Sequence, residues 1–152
     1  MDVVADVAAG TIRGVVDIAA PPERVFQALT DPAELEAWWG ADDMYRTFDW
    51  QVDLRPGGAW SCRARNARGE DSSVRGRYVT VDPPRVLEYT WQPSWDGFAE
   101  TSVRLELAPI AIGTRLTVAH TGFGDRADSC EGHAQGWTAV AAWLTEHVGG
   151  TS

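Results

Sequence analysis

Apolar and polar positions alternate with a period of two over most of this chain and switch to a helical period in two places. Ile12, Gly14, Val16 and Ile18 alternate with Arg13 and Asp17 and predict a first strand. In "APPERVFQALTDPAELEAWW", Pro21 and Pro22 stand where a helix can begin, and Val25, Phe26 and Leu29 recur at helical spacing. Asp31-Pro32 restarts a second short helix, with Leu35 and the Trp38–Trp39 pair on its buried side. From about Tyr45 the period is two again. Phe48, Trp50, Val52 and Leu54 are assigned to one face, "RPGG" is a tight turn, and Trp60, Cys62 and Ala64 share a face of the returning strand. "NARGED" makes the next loop, after which Val74, Gly76 and Tyr78 oppose Arg75 and Arg77. "DPPR" turns into a strand that puts Leu87, Tyr89 and Trp91 together, and "QPSWDGFA" is a longer loop. Val103, Leu105 and Leu107 mark another strand, and Leu116, Val118 and His120 the last. The chain closes on a helical stripe of Trp137, Val140, Ala141, Leu144 and Val148.

Strands joined by consecutive short turns pair antiparallel, and one long helix is available to cover them. The fold class is therefore α+β. The expected arrangement is a curved seven-stranded antiparallel sheet around the C-terminal helix, with two short helices between strands 1 and 2. A single domain is expected over residues 1–152, with an ordered core at about 11–148.

Composition narrows the partners. The net charge of −9 is spread along the chain and disfavours nucleic acid and anionic membrane, which need a basic face. No apolar run approaches the ~20 residues of a membrane span. The first residues carry Asp2 and Asp6 and no basic stretch, so a cytoplasmic protein is expected. Cys62 and Cys130 are far apart, without a metal or redox motif, and are expected as free thiols. No metal and no cofactor are expected. A homodimer is left open. The outlier is tryptophan: eight residues against four phenylalanines. Bulky and amphipathic, tryptophan lines both cores and ligand cavities.

Five stretches together resemble a known family: "APPERVFQALTDPAELEAWWG", "LRPGGAW", "GRYVTVDPPRVLEYTW", "GTRLTVAHTGF" and "HAQGWTAVAAWL". In this order they are similar to the START-like, helix-grip superfamily of polyketide cyclases and plant pathogenesis proteins. The branch resembled is named after the activator of the ninety-kilodalton heat-shock ATPase. The resemblance covers Ile12 to Val148 and implies a sheet gripping the C-terminal helix with an apolar cavity between. The chaperone activator itself is larger, with a further domain, so its role is not carried over.

Within such a fold the even strand positions face the helix. The candidate cavity residues are Phe48, Trp50, Trp60, Tyr78, Tyr89 and Trp91 on strands, with Trp38 closing one end from the short helix. Phe98 and Phe123 are placed at the mouth, and Trp137 and Val140 on the facing helix, where Gly136 lets the backbone approach or leaves room. His120 is the titratable group that alternation puts on the concave face. No Ser/His/Asp or Cys/His arrangement supports it as a catalytic base, and a structural histidine bonded to a loop carbonyl is expected. The leading expectation is the binding of a small, largely apolar, aromatic or lipid-like ligand. The alternatives are a cofactor-independent cyclase or aromatase using His120 or a tyrosine as acid or base, and a chaperone- or partner-binding protein using the outer sheet face.

Overall fold

Tight turns force each strand back alongside its predecessor, and the ladder they build is wider than expected. The computed structural model describes residues 1–149. Its strands are β1 (Asp2–Asp6), β2 (Thr11–Ile18), β3 (Gly40–Ala41), β4 (Tyr45–Val52), β5 (Ala59–Asn66), β6 (Asp71–Asp82), β7 (Val86–Pro93), β8 (Thr101–Ile110) and β9 (Gly113–Thr121). Its helices are α1 (Pro22–Thr30), α2 (Pro32–Trp38) and α3 (Ala127–Gly149), with a 3-10 turn over Ser94–Asp96. The strands form one antiparallel sheet ordered β1-β2-β9-β8-β7-β6-β5-β4-β3.

The sheet thus has nine strands, not seven. One addition is β1, which pairs from Asp2↔Val15 to Asp6↔Thr11, so the ordered structure starts well before residue 11. Its Val3 and Ala5 pack on the core, but two small apolar residues are too short a pattern to read. The other is β3, whose two residues carry no period at all.

The α1–α2 boundary follows from Asp31-Pro32. Proline restricts the residue before it to extended backbone, and Asp31 sits at φ −86°, ψ 120°. Its carboxylate then caps α2, accepting from the backbone N–H of Ala33 at 2.9 Å and of Glu34 at 3.3 Å. α2 ends at Trp38, and Trp39 continues in extended conformation.

The predicted parity holds on β2 and β5 to β9, where Ile12, Ile18, Trp60, Cys62, Val74, Tyr78, Leu87, Tyr89, Trp91, Val103, Leu105, Leu116, Val118 and His120 are all buried. It fails on β4. The β4–β5 register shifts between Phe48 and Gln51, and Asp49 takes a left-handed φ of 54°. A bulge of this kind inserts one residue and flips the alternation. Thr47 and Trp50 therefore share the inner side, where the Trp50 indole donates to the Thr47 hydroxyl at 3.0 Å. Phe48 lies outside, under the Arg63 and Arg65 guanidiniums at 4.9 and 5.5 Å from its ring centroid.

α3 approaches the sheet most closely at β1 and β2. There the Cys130 thiol donates to the Thr11 carbonyl at 3.7 Å, and Gly149 lies beside Ala19. Glu34 of α2 accepts from Arg24 of α1 at 2.6 Å and from His147 of α3 at 2.9 Å, tying the three helices together. Opposite β4, β5 and β6 the first half of α3 stands off, and the space between is the site described next. No helix among the described residues is long and apolar enough to cross a membrane.

Candidate functional site

A cavity of about 650 Å³ lies between α3 and the concave face of the sheet, within the ~300–1,000 Å³ range of small-molecule sites. Its strand wall is Thr47 and Trp50 of β4, Cys62 and Ala64 of β5, Val74 of β6, Trp91 of β7 and His120 of β9. Its helix wall is His133, Gly136, Trp137 and Val140, and Trp39 closes one end. Met44, Trp95, Asp128 and Gln135, all exposed, carry the lining out to the surface.

Trp39 is the hub of an indole cluster. Its ring centroid lies 5.1 Å from Trp38, 5.7 Å from Trp50, 6.2 Å from Trp91 and 6.4 Å from Trp137. Trp60 extends the cluster, 6.1 Å from Trp50 and 5.7 Å from Trp91. Aromatic pairs at such spacing contribute about 0.5–1.5 kcal/mol each beyond area burial. The cluster also satisfies its polar edges. Trp38 donates to the Ala28 carbonyl at 2.8 Å, Trp39 to the Tyr45 hydroxyl at 3.2 Å and Trp60 to the Thr90 carbonyl at 3.3 Å. Gly76 is what lets Trp60 lie there: a Cβ at this position would fall 1.9 Å from the Thr90 carbonyl oxygen.

Two indoles donate to imidazoles. Trp137 Nε1 lies 3.0 Å from His120 Nδ1, and Trp91 Nε1 lies 3.1 Å from His133 Nε2. An indole nitrogen only donates, so each facing ring nitrogen must be an unprotonated acceptor. His120 Nε2–H then donates to the Thr101 hydroxyl at 2.7 Å, which donates to the Trp91 carbonyl at 3.3 Å. His133 Nδ1–H donates to the Ser129 carbonyl at 2.8 Å. Both rings are neutral, with every nitrogen engaged. Burial pushes His120 down to about 3, with the neighbouring His133 adding to it, and burial also lowers His133. Burial pushes the Cys62 thiol up to about 12 and raises Tyr45, Tyr78 and Tyr89 above the usual phenol value.

The helix wall is hollowed by Gly132 and Gly136, one turn apart. A Cβ at either would meet no heavy atom within 4 Å. Each glycine costs the helix about 1 kcal/mol relative to alanine. Nothing packs into the space they leave, and that space is cavity.

The fold and cavity match known proteins. The family model described as "Activator of Hsp90 ATPase homolog 1-like protein" matches residues 19–149. The chain belongs to this activator-like family. Among solved structures, protein CV1439 from Chromobacterium violaceum is 27% identical, with a TM-score of 0.83 over 93% of this chain and 99% of that one. The activator-like (AHSA1) protein from Silicibacter pomeroyi is 28% identical, with a TM-score of 0.77 over 89% of this chain and 94% of that one. Protein Ms6760 from Mycobacterium smegmatis, 22% identical, shares the fold with a TM-score of 0.84 over 100% of this chain and 98% of that one. No curated protein matches the chain. An antiparallel sheet with a long C-terminal helix is consistent with the helix-grip architecture.

In this activator-like chain, the candidates that line the cavity are Trp50, Trp91, His120, Gly136, Trp137 and Val140. Trp60, Tyr78 and Tyr89 sit deeper, around a separate void of about 20 Å³, room for roughly one water. Trp38 is in the core behind Trp39, which takes the lining position because α2 ends between the two. Phe123 is buried behind His120, with ring centroids 4.7 Å apart, rather than at the mouth. Phe48 and Phe98 are corrections: both lie on the outer side of the sheet, Phe48 because of the β4 bulge and Phe98 because Arg75 covers its ring at 4.0 Å. His120 bonds to an indole and a hydroxyl, not to a loop carbonyl. Among the lining residues that escaped the sequence reading are Trp39, Tyr45 and His133. For His133 a signal existed, since it stands four residues before Trp137 and extends the apolar stripe by one turn.

Proposed function

We propose that this protein binds a small, largely apolar, aromatic ligand between the sheet and α3. What supports the reading is one observation: a cavity of about 650 Å³ walled by the indoles of Trp39, Trp50, Trp91 and Trp137, whose N–H groups already have partners inside the protein. Such a wall offers ring surface while asking for little hydrogen bonding in return, and apolar pockets with few polar groups suit that ligand class. Membership of a family whose fold commonly binds hydrophobic molecules points the same way. An acid–base role for His120 or His133 has no observation in its favour, because each of their imidazole nitrogens is engaged.

The test is a fluorescence and calorimetric titration with aromatic polyketides, flavonoids and fatty acids. Saturable one-to-one binding at micromolar concentration, about −8 kcal/mol, with a shift or quench of tryptophan emission is expected for an aromatic member of the panel. Absence of any saturable binding overturns the reading.

A further inference from the structure

Around the indole cluster the lining is nearly closed to new hydrogen bonds, whereas the exposed rim keeps uncommitted donors on Trp95 and Gln135; the exception inside the cluster is informative. The indole protons of Trp39, Trp50, Trp91 and Trp137 are committed to Tyr45, Thr47, His133 and His120. The Thr47 hydroxyl donates to the Trp39 carbonyl at 2.6 Å, and the Ser129 hydroxyl to Asp96 Oδ2 at 2.6 Å. Tyr45 differs. Its oxygen accepts the Trp39 indole proton at 3.2 Å, yet among the described residues its own proton has no acceptor. The phenol is also held in place: its ring stands edge-on to Trp143 at 5.6 Å, while Trp39 fixes the oxygen. Burial raises the pKa of this phenol, so the proton is present at neutral pH. Ser72 is the other lining hydroxyl with an uncommitted proton, but it sits one residue into β6, beside the 67–70 hairpin loop, away from the indole cluster.

We propose that the Tyr45 hydroxyl orients the ligand by donating to it, and that the ligand carries a hydrogen-bond acceptor, a ring ketone or ether oxygen, on an otherwise apolar aromatic frame. This rests on the ligand-binding reading above and narrows it. Buried donors discriminate sharply, because an analogue without the acceptor leaves the hydroxyl desolvated and unpaired.

The experiment uses 9-fluorenone and fluorene, which share a tricyclic frame and differ by one carbonyl. Equilibrium dialysis measures both against the wild type and Tyr45→Phe. Tyr45→Phe is expected to weaken fluorenone about five- to tenfold while fluorene stays within about twofold. Fluorene is the control for the acceptor that Trp39 loses in the phenylalanine variant. Equal weakening of both probes, or fluorenone binding held at the wild-type value, overturns the role of Tyr45 while leaving the cavity reading intact. Failure of both probes to bind the wild type overturns the two together. If Tyr45→Phe does not fold, the infrared C=O stretch of fluorenone bound to the wild type decides. A stretch below its position in hexane supports the hydrogen bond, and one at the hexane position overturns it.

Discussion

Trp137 donates its indole proton to His120 Nδ1 at 3.0 Å, across the cavity wall from helix to sheet. That bond assigns the tautomer of a buried imidazole and keeps it neutral, since protonating Nδ1 would set two donors against each other.

The first prediction concerns acid. Burial holds the folded His120 down to about 3, against an ordinary value of 6.5. The unfolded chain therefore takes up this proton near pH 6.5 while the folded chain does not until about pH 3. Stability from this group is complete above about pH 6.5 and declines as pH falls towards 3, by at most about 1.4 kcal/mol per unit. Urea denaturation between pH 7 and 4.5 is expected to show a steeper loss for the wild type than for His120→Gln. Parallel slopes would show that the buried ring does not resist protonation.

Gly136 separates stability from binding. With open space around its Cβ position, Gly136→Ala is expected to stabilise the protein by about 1 kcal/mol through helix propensity. Gly136→Leu should fold as well but weaken aromatic ligands at least tenfold, because its side chain occupies the cavity. Thermal melts and titrations on the same samples read both effects. Undiminished binding by Gly136→Leu would place the ligand elsewhere.

The β4 bulge makes opposite forecasts for two neighbours. Trp50→Ala removes a ring from the indole cluster and should cost about 3–5 kcal/mol. Phe48→Ala loses an outer ring stacked under two arginines and should cost about 1–2 kcal/mol. Denaturant midpoints compare them directly, and a reversed order would mean that the parity of this strand has been misassigned.

Both cysteines are buried and unpaired. In denaturant without reductant, thiol titration should find both thiols free on each chain. The native protein should react far more slowly, with Cys62 slowest because burial pushes it up to about 12 and leaves almost no thiolate. A mass two protons short, with no titratable thiol, would contradict this.

Most of the sheet was legible because strict alternation identifies a half-buried strand and its inner face at once. Leu116, Val118 and His120 face inward as alternation required. Phe48 was not legible, since a single inserted residue reverses parity without changing composition. Trp39 was hidden for a related reason: helical spacing treats it and Trp38 alike, and only the end of α2 separates them. The roles of His120 and His133 depend on which indole reaches which nitrogen across a long sequence separation, and no local pattern encodes that. The cavity itself had a partial signal in Gly136, whose small size reads equally as close packing or as empty space.

The sheet has two outer edges, one formed by β1 and the other by β3 together with the part of β4 beyond Arg46, beside α2. β3 is two residues long, and β1 carries exposed Asp2 and Asp6 at its ends. A second copy pairing antiparallel along β1 in register would set Asp2 of each copy opposite Asp6 of the other, on a chain already at −9. Short edge strands and charge on the edge discourage aggregation through open strands. Continuing the sheet across β1 into a second copy is therefore disfavoured by charge, whichever surface two copies would otherwise share.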